Sequence, residues 1–237
     1  MTAELYTKNS YIKECEAQIV FVNENLVAFE QTIFYPGGGG QPSDKGFIKQ
    51  GEEIYEVIKV EKVDGVIIHE LDRPLQDTKQ VIIQQIDWAW RFQNMRYHTL
   101  LHVISGYLYT HFNALATSSQ IEKDHAWLEL SFSSDIIEEI AFERLEQSIK
   151  SLLLQPHSVY TKIISRIEAE KKEGAIKTVI NLLPTSLDEI RIVQIQDIDE
   201  QACGGTHLQN TIEIGDFSIV KIQNKGASKR RIKIQLV

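Results

Sequence analysis

Residues 87–108 read Asp87-Trp88-Ala89-Trp90-Arg91-Phe92-Gln93-Asn94-Met95-Arg96-Tyr97-His98-Thr99-Leu100-Leu101-His102-Val103-Ile104-Ser105-Gly106-Tyr107-Leu108, and the character of the chain changes here. Asp87 is placed to cap Trp88 onward, while Phe92, Met95, Leu100, Val103, Ile104 and Leu108 recur at helical spacing, so a long helix is expected to about Phe112. Upstream, short β segments over residues 17–22, 26–29, 46–49, 54–60, 65–70 and 80–86 are separated by turn signals such as Asn23-Glu24-Asn25, the glycines 37–40 and Asp64-Gly65. That pattern predicts a small antiparallel β-barrel over residues 1–86. Downstream, a hairpin (116–119 with 126–132) is expected first, then an amphipathic helix opening at Ser134-Asp135 with Glu138 and ending before Pro156. A strand (159–164), a short helix (166–172), a strand (190–195) and a terminal hairpin from Phe217 follow. The fold class is therefore α+β, with the β-barrel followed by a two-layer α+β domain over residues 87–237.

His98 and His102 sit in the middle of the long helix, one turn apart on one face, where a divalent ion can bridge them. About a hundred residues later, Cys203-Gly204-Gly205-Thr206-His207 repeats the spacing, with glycines that suggest a tight loop turning Cys203 and His207 toward one point. Imidazole and thiolate ligands suit Zn²⁺ better than Mg²⁺ or Ca²⁺, so one zinc ion per chain is expected at His98, His102, Cys203 and His207.

A chain of 237 residues with 43% hydrophobic content can bury a sizeable core. Its two cysteines, Cys15 and Cys203, give no disulfide framework, residues 1–10 do not resemble a secretory signal, and no apolar run approaches the roughly 20 residues that span a bilayer. A reducing, cytoplasmic setting without a membrane partner is the expectation. The net charge of −8 argues against a uniformly basic nucleic-acid binder. Yet residues 217–237 contain no acidic residue and hold Lys221, Lys225, Lys229, Arg230, Arg231 and Lys233. Such a patch either holds phosphates or guards an edge strand with lysines.

Phe34-Tyr35-Pro36-Gly37-Gly38-Gly39-Gly40-Gln41-Pro42-Ser43-Asp44-Lys45-Gly46, the two histidines, the Cys203–His207 loop and the closing Gly226-Ala227-Ser228-Lys229-Arg230-Arg231-Ile232 together resemble the editing domain of alanyl-tRNA synthetases. The four motifs occur in that domain's order from about residue 30 onward. The chain is too short for the aminoacylation and anticodon-recognising parts of a synthetase, so the resemblance is to the freestanding AlaX editing proteins with an N-terminal barrel. It implies trans-editing: hydrolysis of tRNA(Ala) mischarged with serine, and of the glycyl ester as an open second case. Such editing answers a chemical need, because a pocket shaped for alanine rejects an added hydroxyl by only about a hundredfold.

The resemblance also implies roles. Gln41 would lie beside the zinc with its amide toward substrate or water, against the simpler reading of a barrel turn. Thr117 or Ser118, after the metal helix, would sense the serine hydroxyl. Many synthetase editing domains have threonine just before the second histidine, where this chain has Leu101. Arg91, Arg96, Lys225, Lys229, Arg230 and Arg231 would contact acceptor-stem phosphates. Thr99 and Thr206 are expected to bond locally to backbone, and Asp44 to satisfy donors of its own turn. Four protein ligands leave no open position on zinc, so a tRNA-binding module with a purely structural zinc is the alternative, unless one ligand gives way. Another metallohydrolase on a similar scaffold is a third reading; oligomeric state is left open.

Overall fold

The computed structural model describes residues 2–77, 81–133, 137, 140–171 and 188–237. They form two compact units, Met1–Met95 and Arg96–Val237, and the division passes through the long helix. The fold is mixed α and β with strands predominating.

In the first unit, β1 (Ala3–Glu4) leads into a helical turn, α1 (Leu5–Lys8), followed by β2 (Glu14–Ala17), β3 (Ile19–Asn23), β4 (Leu26–Phe29), β5 (Gln31–Thr32), β6 (Gly46–Gln50), β7 (Glu53–Val63), β8 (Val66–Leu71) and β9 (Ile82–Ile86). β1 pairs with β5 in parallel, and the other seven form one antiparallel sheet in the order β2-β9-β6-β7-β8-β4-β3. Both edges, β2 and β3, are consecutive in the chain with only Gln18 between them, so the sheet must curl to bring the end of β2 to the start of β3. The single strand expected over 17–22 is broken at this residue, because the chain changes partner there: β2 pairs with β9 and β3 with β4. Side chains alternate inward along β8 and β9, and Phe29, Phe34, Ile48, Tyr55, Ile67, Leu71 and Ile82 fill the interior.

α2 (Trp88–Phe112) starts as expected, with Asp87 Oδ1 accepting from the Trp90 N–H at 3.0 Å. It stops at Asn113, whose φ of 51° is the left-handed conformation that ends helices. The remaining elements are β10 (Leu115–Ile121), β11 (Ala126–Ser131), α3 (Leu145–Leu152), β12 (Val159–Ser165), α4 (Arg166–Lys171), β13 (Glu189–Ile195), β14 (Asp199–Ala202), β15 (Phe217–Asn224) and β16 (Lys229–Leu236). Two antiparallel sheets result, β10-β11-β16-β15 and β12-β13-β14. Ala126, Leu128, Leu130, Ile232 and Ile234 are buried on one face of the four-stranded sheet, and Leu100, Val103, Ile104 and Leu108 are buried along α2. The predicted capping residues Ser134, Asp135 and Glu138 lie outside the described residues; Ala141, with ψ of 72°, is not helical, and helix α3 begins only at Leu145, after a 3-10 turn over Phe142–Arg144. β14 was not expected at all. Among the described residues, no helix is long and apolar enough to cross a membrane.

Candidate metal centre

α2 presents His98 and His102 four residues apart, and the loop after β14 returns Cys203 and His207 to meet them within the second unit. The four candidate ligand atoms all lie within 4.8 Å of one another, a group that could hold a metal ion. Cys203 Sγ is 3.5 Å from His98 Nε2 and 3.3 Å from His207 Nε2.

Each element that carries a ligand is itself fixed. His102 Nδ1 lies 3.0 Å from Asp199 Oδ2, and Gln201 Nε2 donates to the same carboxylate oxygen at 2.9 Å. Asp199 and Gln201 are two apart on β14, hence on one face of that strand, and both are buried. The carboxylate holds the proton on Nδ1 and leaves Nε2 with its lone pair toward the cluster, the arrangement by which a carboxylate orients a metal-ligating imidazole. Thr99 Oγ1 does the same for His207, at 3.2 Å from its Nδ1, while accepting from the Leu208 N–H at 3.2 Å. Thr99 thus joins helix to loop, which corrects the expectation of a merely local bond.

The loop is held from β13. Arg191 Nη1 donates to the carbonyls of Cys203 at 2.7 Å and Gly205 at 2.9 Å, and the Gly205 N–H points at Cys203 Sγ at 3.3 Å. Neither Gly204 nor Gly205 takes a positive φ, so freedom of dihedral angle does not explain these glycines. Gly204 is exposed with nothing within 4 Å of where a Cβ would stand. Gly106, one turn beyond His102, is different: a Cβ there would lie 2.6 Å from the Ile198 carbonyl oxygen and 2.8 Å from Asp199 Cβ. Only glycine lets β14 approach the helix closely enough to bring Asp199 onto His102.

The titration behaviour agrees with a ligand set. Withdrawal from solvent would push the Cys203 thiol up, but the electrostatic influence of His98 and His207 and hydrogen bonds from His102 and His207 outweigh it and hold it well below its ordinary value. Burial lowers His207 to about 3. Burial also works to lower His102, but bonds to Asp199 and Cys203 prevail and raise it to about 9. A thiol already held down in this way gives up its proton readily, as thiolate ligation of a metal requires.

The other expected site residues are placed as follows. Gln41 is buried in the first unit, in a loop whose glycines 37–40 all have positive φ and whose backbone closes through Gly38 N–H to Gln41 O at 3.0 Å. Asp44 accepts from the Tyr35 N–H at 2.6 Å, as expected for its turn. Arg91 is fully buried: its Nε donates to Asp44 Oδ1 at 2.8 Å, its Nη2 to Asp44 Oδ2, and its remaining donors to the carbonyls of Ser10 and Ile33. A phosphate contact is thereby corrected to a buried clamp on the glycine-rich loop. Arg96, half-buried, donates from Nε to the Ile214 carbonyl at 2.7 Å beneath Gly215. Thr117 is the extra residue of a β-bulge between Ala116 and Ser118, and its hydroxyl is 3.1 Å from Glu129 Oε1; Ser118 is exposed. Arg230 Nη1 donates to Asn224 Oδ1 at 2.9 Å across the last hairpin, Arg231 pairs with Glu129, and Lys225 is exposed.

Residues 190–233 match the family described as the threonyl and alanyl tRNA synthetase second additional domain, and residues 3–90 match the class II (A) tRNA synthetases. The alanyl-tRNA editing protein AlaX-M of Methanosarcina barkeri is 36% identical over 245 residues, covering all of both chains. That of Saccharolobus solfataricus is 36% identical over 237 residues, 98% of each chain. This chain belongs to the AlaX-M family. The alanine–tRNA ligase of Thermococcus kodakarensis is 35% identical over 225 residues, 94% of this chain but only 24% of the ligase. The sequence pattern pointed to the four residues that come together here, a group that could hold a metal ion, but not to Asp199, Gln201, Gly106 and Arg191 around them. The signals were there: a carboxylate and an amide two apart just before Cys203, and a glycine four residues after His102 in an otherwise unbroken helix.

Proposed function

We propose that the protein is a cytoplasmic trans-editing hydrolase, a zinc-dependent carboxylic ester hydrolase that deacylates seryl-tRNA(Ala), with glycyl-tRNA(Ala) as the second substrate to test. The observation that supports this most is the convergence of His98, His102, Cys203 and His207 in a chain that aligns end to end with proteins named for alanyl-tRNA editing. The donor set fits zinc. Tetrahedral Zn²⁺ with nitrogen and thiolate ligands needs sulfur-to-nitrogen separations of roughly 3.6 Å, and Cys203 Sγ stands 3.5 and 3.3 Å from two imidazole nitrogens. Zinc held by these four residues would supply a fixed positive charge that polarises the ester between the amino acid and the tRNA 3′ end.

The chain's own residues do the rest. Asp199 and Thr99 hold the imidazoles of His102 and His207, and Arg191 holds the Cys203 loop against β13. Water adds to the ester carbonyl and the ribose hydroxyl leaves with a proton. In this reading Gln41, Thr117 and Ser118 act on the aminoacyl group, Lys225, Lys229, Arg230 and Arg231 hold RNA phosphates, and the chain is organised as a barrel over 1–86 and an editing domain over 87–237. A site that hydrogen-bonds the serine hydroxyl rejects alanine strongly, since each buried polar group left unpaired costs about 1 to 3 kcal/mol.

Incubation with seryl-tRNA(Ala) and alanyl-tRNA(Ala) tests the reading. Loss of the seryl ester alone, abolished by chelation, is expected; persistence of the seryl ester removes the hydrolase. A second reading, a tRNA-binding module with a structural zinc, is favoured by the fixed hydrogen bonds around all of His102, His207 and Cys203. It predicts tRNA binding without deacylation, and unfolding on chelation.

A further inference from the structure

The outer face of the four-stranded sheet is built in a way its own stability does not require. Register places Gln120, Trp127, Lys233 and Lys221 in one row across β10, β11, β16 and β15, and Ser118, Glu129, Arg231 and Gln223 in the next. The opposite face carries the buried Ala126, Leu128, Leu130, Ile232 and Ile234. Two lysines, Lys221 and Lys233, are thus direct cross-strand partners, an arrangement that costs a sheet stability. Beside them the Arg231 guanidinium stacks on the Trp127 ring, 4.0 Å from its centroid, and Lys229 continues the same face along β16. The carboxylates facing this surface are Glu129, which is paired with Arg231, and Asp124, at the tip of the β10–β11 hairpin near Lys233. On a chain of net charge −8, this is a concentrated cationic surface with an aromatic and a guanidinium plane at its centre.

We propose that this face is the track for the RNA backbone, with Lys221 and Lys233 on adjacent phosphates and the Trp127–Arg231 stack as a platform for an unpaired base. The proposal rests on the tRNA-editing reading and names its RNA-binding surface. Like charges directly opposed are relieved when an anion lies between them, and a sheet face with partly exposed stacking planes and flanking cations suits an RNA strand. Lys221 and Lys233 fall in the basic C-terminal stretch and Trp127 in no sequence motif, and the register makes the three one site.

The variants Lys221→Glu and Lys233→Glu separate binding from folding because their effects have opposite signs. Each replaces a like-charge pair by an opposite-charge pair, so the melting temperature should hold or rise. Affinity for uncharged tRNA(Ala) transcript should nevertheless fall at least tenfold at low salt, and the slope of log affinity against log salt should flatten by roughly 1 to 2. The KM for seryl-tRNA(Ala) should rise in parallel, with zinc content unchanged. Trp127→Ala should weaken binding by roughly 5- to 150-fold with little change in slope. Wild-type protein that edits seryl-tRNA(Ala), alongside glutamate variants of unaltered affinity and slope, overturns the surface and leaves the editing reading intact. Variants that self-associate while binding RNA normally also overturn it, showing the lysines to guard the β15 edge. Wild-type protein that neither binds nor deacylates removes both readings.

Discussion

Gly106→Ala adds one methyl group, and its consequences can be followed from helix to metal. The new Cβ would stand 2.6 Å from the Ile198 carbonyl oxygen and 3.1 Å from Asp199 Oδ1. Comfortable carbon–oxygen contact begins near 3.4 Å, so β14 must retreat by about 0.8 Å or the helix must shift as far. The bond from His102 Nδ1 to Asp199 Oδ2, now 3.0 Å, would stretch beyond hydrogen-bonding range. Losing the partner that orients a ligating imidazole weakens metal binding by roughly 10- to 100-fold. Global stability should move much less: overpacking costs about 1 to 3 kcal/mol, and alanine returns up to about 1 kcal/mol in a helix interior. Zinc affinity measured by competition with a chromophoric chelator should therefore fall while the unfolding transition shifts modestly. Asp199→Asn, which removes the charge without adding volume, should lose zinc affinity to a similar extent. Because both act through one bond, the double variant should be little worse than either single one. Additive losses, or a Gly106→Ala protein that binds zinc within about twofold of wild type, would refute the chain of contacts.

Other perturbations reach different parts of the molecule. His69 is fully buried against Phe29 and Phe34 with Nε2 at 2.9 Å from Thr32 Oγ1, and burial lowers it from 6.5 to about 3. The unfolded chain binds that proton below pH 6.5 and the folded one does not, so stability is full above 6.5 and is lost as pH falls. At pH 5 the loss from this group is about 2 kcal/mol; urea titrations at pH 7 and 5 should show it, and His69→Gln should remove most of the difference. Arg91→Ala leaves the Asp44 carboxylate buried without its cation, which should cost about 3 to 5 kcal/mol in the first unit; a salt slope for tRNA binding that changed instead, with stability intact, would restore Arg91 to the RNA footprint. Gly204→Ala meets open space, so zinc affinity should be unchanged, and a fall by tenfold would show the loop to be tighter than its surroundings indicate.

The cluster of His98, His102, Cys203 and His207 was legible because its signal is local: two pairs of residues at fixed spacing, each on a short piece of chain. The strands expected at 26–29 and 46–49 and the terminal hairpin were legible for the same reason, as short apolar or alternating runs between turn residues. What escaped was set by distant partners. Gln18 breaks a continuous apolar run because β2 and β3 face different neighbours, and no local propensity encodes that. Arg91 reads as a surface cation one helical turn past a cap, yet Asp44, forty-seven residues earlier, makes it a core residue. β14 is too short and too acidic, as Asp199-Glu200-Gln201-Ala202, to announce a strand.

The same contrast bears on how the centre works. Ligand residues found by spacing alone are compatible with an inert zinc as well as with a catalytic one, and the deciding features are those the spacing does not contain. His102 is held by a carboxylate, His207 by a hydroxyl, and both holders are buried. Cys203 is held through its own loop, by the Gly205 N–H on Sγ and by Arg191 on its carbonyl, and it is the least buried of the four, beside the open Gly204. If a ligand yields to an arriving ester, the side chain with the least restraint is the one to move, and that is Cys203. Cys203→Ser should then keep a larger share of deacylation than of zinc affinity, whereas His102→Ala should lose both together. Equal losses in the two variants would mark the thiolate as a permanent ligand.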